Sequence, residues 1–188
     1  MKIWIFIGRF TPPHKWHIST IRKSLKFNDL TIVILGSANV LNEQNPFDVI
    51  NRWQMIEEHF DGHDCLIIES IDDIESDKQW VSEIWKIASN YIESEWQFSI
   101  YWWDFENDYA IKVLKEFESE LWFDSLDFVE FNRKDLSFEH NWETKYYSST
   151  LVRQCLKTNN IELLKKLLVS DIYNKTTKKN LKNTKIKN

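Results

Sequence analysis

Five short apolar, β-branched runs recur along this 188-residue chain with helix-patterned segments between them, and that alternation limits the fold more than any other feature. The runs are "IWIFIG" from Ile3, "LTIVILGS" from Leu30, "CLIIESI" from Cys65, "FSIYWW" from Phe98 and "FVEF" from Phe128. Runs this apolar are buried on both faces, which is the pattern of a parallel sheet covered by helices. The intervening segments predict helices near 15–27, 47–60, 78–94, 107–120, 149–157 and 160–169. Right-handed crossovers then give an α/β fold: a Rossmann-like, doubly wound parallel sheet of about five strands with flanking helices and a small C-terminal helical extension. The expected organisation is a main domain over 1–157, a helix packed on it over 158–173, and a disordered lysine-rich tail over 174–188.

That tail carries six lysines and no acid, so the net charge of -5 conceals a body of -11. An acidic body argues against a general nucleic-acid binder, and the tail reads as a solvated extension. No apolar stretch is long enough to span a bilayer, and the N-terminus lacks the pattern of a secretory signal, so the expected location is the cytoplasm. Cys65 and Cys155 stand far apart with no metal-like spacing and are expected to be reduced thiols.

In a doubly wound sheet the ligand crevice lies at the carboxyl ends of the strands, and chemistry-bearing residues do cluster after strands here. The first cluster is "GRFTPPHKWH", Gly8 to His17. A strand ends at Gly8, Arg9 and Phe10, and a helix begins near His14 with His14 and His17 on one face. Helix N-termini favour anions, and with Arg9 alongside the cluster suits a polyphosphate. The second cluster is "YYSSTLVR", Tyr146 to Arg153, where Ser148, Ser149 and Thr150 can cap a helix and Arg153 falls one turn later. Asp72 and Asp73 read as solvated loop acids, and His59 and His63 as structural.

Together these segments resemble the HxGH nucleotidylyltransferases, and most closely the archaeal-type nicotinamide mononucleotide (NMN) adenylyltransferases. The resemblance covers about residues 1–157 and includes "LGSANVLNEQNPFDVINRWQMI" and "IDDIESDKQWVSEI". It implies an enzyme that joins ATP and NMN into NAD by direct attack on the ATP α-phosphate, with Mg2+ accompanying the nucleotide. It assigns catalysis to His14, His17 and Arg153. ATP binding goes to Gly8, Arg9, Phe10, His14, His17, Ser148, Ser149, Thr150 and Arg153, and NMN binding to Arg52, Phe47, Trp80 and Asp104. Membrane and specific nucleic-acid partners are not expected, and homo-oligomers are common in the family.

One departure stands out. Where the family has the glycine of H-x-G-H, this chain has Trp16, and one of Trp102 and Trp103 also stands at a family glycine position. Average usage of about 7% would give roughly 13 glycines, yet there are 3, alongside 10 tryptophans. One cause would account for both: UGA codons meant as glycine and read as tryptophan, with Trp4, Trp16, Trp102 or Trp103, Trp122 and Trp142 as suspects. If the tryptophans are genuine, the alternatives are another HxGH adenylyl- or cytidylyltransferase, or a catalytically weak nucleotide-binding sensor.

Overall fold

A computed structural model describes residues 2–91, 97–102, 109–117, 126–130 and 137–185. Five parallel strands, β1 (Lys2–Gly8), β2 (Leu30–Leu35), β3 (Leu66–Ser70), β4 (Gln97–Trp102) and β5 (Leu126–Glu130), form one sheet in the order β3-β2-β1-β4-β5. All five predicted strands are present, and the order is that of a doubly wound sheet. The chain builds outward from β1 to β3 and then restarts on the other side with β4. The carboxyl end of β1 therefore borders the switch point, where a crevice is unavoidable.

β1 shows why the runs are so apolar. Ile3 and Ile5 face a core shared with Ile32, Ile34, Phe98 and Ile100, which α3 (Asp77–Ser89) and α4 (Tyr109–Glu116) cover with Val81, Ile84, Ile111 and Leu114. Trp4 and Phe6 point the other way, into a core with Val33 and Leu35 that α1 (Lys15–Phe27) and α2 (Val49–Phe60) cover with Ile21 and Ile56. Strand side chains alternate faces, so covering both faces with helices requires every position to be apolar.

Three further helices follow: α5 (Ser149–Lys157), α6 (Ile161–Leu167) and α7 (Ser170–Lys185). They form a third core with α1 and α2, in which Val152, Leu163, Leu164, Leu167 and Ile172 meet Ile18 and Met55. The tail expected to be disordered from 174 is instead helical through Lys185, because Ile172 and Thr176, one turn apart, are both buried. Just before α5, an antiparallel hairpin absent from the sequence reading joins β6 (Ser137–His140) to β7 (Glu143–Tyr146). Cys65 and Cys155 are free thiols, as expected. Among the described residues no helix is long and apolar enough to cross a membrane.

Candidate active site

Helix starts converge at the carboxyl edge of the sheet. β1 ends at Gly8, and Phe10 adopts a left-handed backbone (φ 49°) that turns its ring back over the strand. A Cβ on Gly8 would come within 3.2 Å of that ring, tighter than ordinary contact, so a side chain here would push the Phe10 ring aside. The chain then enters α1 with His14 as its N-cap. The backbone N–H of His14 donates to Nδ1 of His17 at 3.1 Å. In the neutral imidazole this leaves the ring proton of His17 on Nε2, as a donor.

Both imidazoles are buried, with ring centroids 3.7 Å apart. Burial pushes the pKa of His14 down to about 3. His17 is also held well below its ordinary value, first by burial and then by the neighbouring His14. Neither ring nitrogen of His14 meets a hydrogen-bond partner among the described residues.

α5 supplies the second helix start. Ser148 caps it by accepting from the Leu151 N–H at 3.1 Å. The Ser149 hydroxyl donates to the Pro12 carbonyl at 3.0 Å, and Arg153 donates to the Thr11 carbonyl at 2.9 Å and to the Thr150 hydroxyl at 3.0 Å. These bonds fasten α5 to the loop between β1 and α1, so the two signature segments form one structure. Burial and the adjacent Arg9 both lower the pKa of Arg153, and an anion lying against the two guanidiniums would relieve that repulsion.

Around these groups lies a cavity of about 640 Å³. Gly8, Arg9, Phe10, His17, Ser148, Ser149, Thr150, Arg153 and Trp80 all line it. So does Trp16, buried to 5% exposure, with its indole edge-on to Phe6 at 5.6 Å. The remaining assignments fall elsewhere. His14 does not line the cavity and lies wholly buried, its ring parallel to that of Tyr147 at 6.2 Å. Phe47 packs in the third core with Met55 and Val152. Asp104, Trp103 and Trp122 fall outside the described residues.

Arg52 departs most from its expected role. It is fully buried and donates to the carbonyls of Arg9 at 2.7 Å, Gly36 at 2.8 Å and Ser37 at 3.1 Å. A guanidinium committed to three carbonyls ties the loops after β1 and β2 together and does not line the cavity as a phosphate ligand. Sequence reasoning also passed over groups that do line it: Ser37, Asp73, Asp77 and Tyr109. Asp73 is exposed, in keeping with its reading as a solvated loop acid, and it also lines the cavity, because it follows β3 on the carboxyl side. The strand-end rule that found His17 applied there as well.

The family model described as cytidylyltransferase-like matches residues 5–155. The nicotinamide/nicotinic acid mononucleotide adenylyltransferase of Acinetobacter baylyi is 28% identical over 180 residues, covering 93% of this chain and 91% of that protein. The nicotinamide-nucleotide adenylyltransferase of Caldivirga maquilingensis is 39% identical over 85 residues, 43% of this chain and 48% of that one. Among solved structures, a bifunctional NMN adenylyltransferase/ADP ribose pyrophosphatase from Francisella tularensis matches with a TM-score of 0.70 at 25% identity, over 94% of this chain. The chain spans about half of that bifunctional protein, 49% of its length.

Proposed function

The chain belongs to the cytidylyltransferase-like family, and from that premise we propose that it is a nicotinamide-nucleotide adenylyltransferase making NAD and pyrophosphate from NMN and ATP. The observation that carries this reading is the single cavity that joins His17, Arg9, Arg153 and the α5 N-terminus to the indole of Trp80. Cations and helix ends suit the polyphosphate, and the half-buried Trp80 indole in the cavity wall suits the pyridine ring.

A phosphate oxygen of NMN attacks the α-phosphorus of ATP. The bond from that phosphorus to the oxygen bridging it to the β-phosphorus breaks, and pyrophosphate leaves; magnesium accompanying ATP would neutralise phosphate charge. No protein nucleophile is needed, because the acceleration comes from alignment and from stabilising charge on the transferring group. His17 donates from Nε2 to an α-phosphate oxygen. As that anion approaches, it raises the imidazole's pKa and strengthens the contact. Arg9 and Arg153 hold the outer phosphates.

A second reading draws on Trp16 in the cavity wall beside a wholly buried His14: the chain binds the mononucleotide but takes ATP poorly. One assay separates the two. NAD formation is measured for the chain as written, for Trp16→Gly, and for Trp16→Gly with His17→Ala. The expected result is NAD from the first or second protein, with the histidine change lowering kcat on the order of 10²-fold. Mononucleotide binding with NAD made only by Trp16→Gly would assign the written chain to the binding reading. No NAD from either overturns the adenylyltransferase.

A further inference from the structure

The cavity lining carries both signs of charge: Arg9, Arg153 and the first turn of α5 line it, and so do Asp73, Asp77, Tyr109 and Trp80. The carboxylate of Asp73 accepts the Ser37 hydroxyl at 2.8 Å, and that of Asp77 accepts the Tyr109 hydroxyl at 2.7 Å. Neutral donors hold the two carboxylates, and the buried Arg52 guanidinium lies within electrostatic reach of Asp73. A backbone link, from the Asp73 N–H to the Asn39 side-chain oxygen at 2.9 Å, holds the Asp73 loop against the loop after β2. Asp77 and Trp80 stand three residues apart at the start of α3, so carboxylate and indole leave the helix on the same side.

A ring resting on Trp80 therefore sits in a negative field. Nicotinamide and nicotinate mononucleotides both carry a cationic pyridinium, which the indole face and the carboxylates favour. They differ in one substituent, a neutral amide in the first and a carboxylate in the second. We propose that Asp73 and Asp77 are specificity-determining residues that select the amide form by repelling the acid form's carboxylate. This rests on the mononucleotide reading of the site. A hydrogen-bond donor aimed at this substituent would favour the acid form, whose charged oxygens accept more strongly than an amide's; a negative field opposes only the acid form.

The experiment measures binding of nicotinamide mononucleotide and nicotinate mononucleotide by calorimetry, and kcat/KM for each with ATP and magnesium. It uses the native chain, Asp73→Asn, Asp77→Asn and the double variant, with thermal unfolding to verify that each is folded. The native chain is expected to favour the amide form about tenfold or more, and each asparagine to erode that ratio, through KM and not kcat. Equal affinities in the native chain, or a ratio untouched in the double variant, overturn the proposal. Selective binding without adenylyl transfer would leave the selection standing and overturn the transferase reading. Transfer with equal efficiency to both nucleotides would do the reverse, and binding of neither would overturn both.

Discussion

His14 and His17 are kept neutral by burial, and that has a thermodynamic sign. Their folded pKa values lie below the ordinary value of 6.5, so between those limits the unfolded chain binds protons that the folded chain refuses. The stability that keeping His14 neutral contributes is therefore fully present above pH 6.5 and is lost as pH falls toward about 3, by about 1.4 kcal/mol per pH unit, and His17 acts in the same direction. Urea midpoints at pH 7 and pH 5 check this: the native chain should weaken markedly and His14→Gln should weaken less. Equal loss in both proteins would mean that His14 is not held neutral by burial. The spacing of the two histidines revealed the helix start and the shared face. It did not reveal that only His17 reaches the cavity, because the packing of Tyr147 and Trp16 around that turn decides it. The setting of Arg52 was illegible for a related reason. Its three acceptors come from Arg9, Gly36 and Ser37, and nothing local to Arg52 announces them.

The elements most legible in advance were those whose pattern is set by burial on both faces. Each of the five sheet strands was readable because an apolar run has few alternatives between helices. The β6–β7 hairpin escaped for the opposite reason. Its strands are short and mostly polar, and its two-residue loop, Asn141–Trp142, lacks the usual punctuation. Both loop residues have positive φ, 53° and 65°, the geometry of a type I′ turn, which favours Asn-Gly. Trp142 is fully exposed there, so no packing offsets the backbone strain of a bulky left-handed residue. Trp142→Gly should therefore stabilise the protein by about 1–2 kcal/mol, read as a higher midpoint in denaturant. A neutral or destabilising result would argue that the indole makes contacts that outweigh the turn. The backbone thus asks for glycine at a position that composition had already marked, independently of the H-x-G-H signature. With Asn-Gly at 141–142, the hairpin would have been evident from sequence.

Topology explains why distant signatures share one cavity. The carboxyl ends of β1, β2 and β3 deliver Arg9, Ser37 and Asp73 to one edge of the sheet, and α5, bonded to the β1–α1 loop from 137 and 142 residues away, adds Ser149 and Arg153. That return depends on the C-terminal helices. α6 fills the third core with Leu163, Leu164 and Leu167, and α7 closes it with Ile172. Asp171 accepts from Nδ1 of His59 at 2.8 Å, while Nε2 of the same ring lies 2.8 Å from the Arg22 guanidinium and accepts from it. Lys175 pairs with Glu58. One face of α7 is thus bound to α2, and through His59 to α1, the helix whose first turn carries His17. A chain ending at Val169 loses the burial of Ile172, which alone contributes about 1.5–3 kcal/mol, and uncovers Met55 and Leu168 behind it. It should unfold at a clearly lower urea concentration, with Ile172→Ala reproducing about 2 kcal/mol or more of the loss. Because α7 contributes no residue to the cavity, Ile172→Ala should leave the KM for either nucleotide unchanged while the protein remains folded. Unaltered stability in both variants would mean that α7 does not hold the third core together.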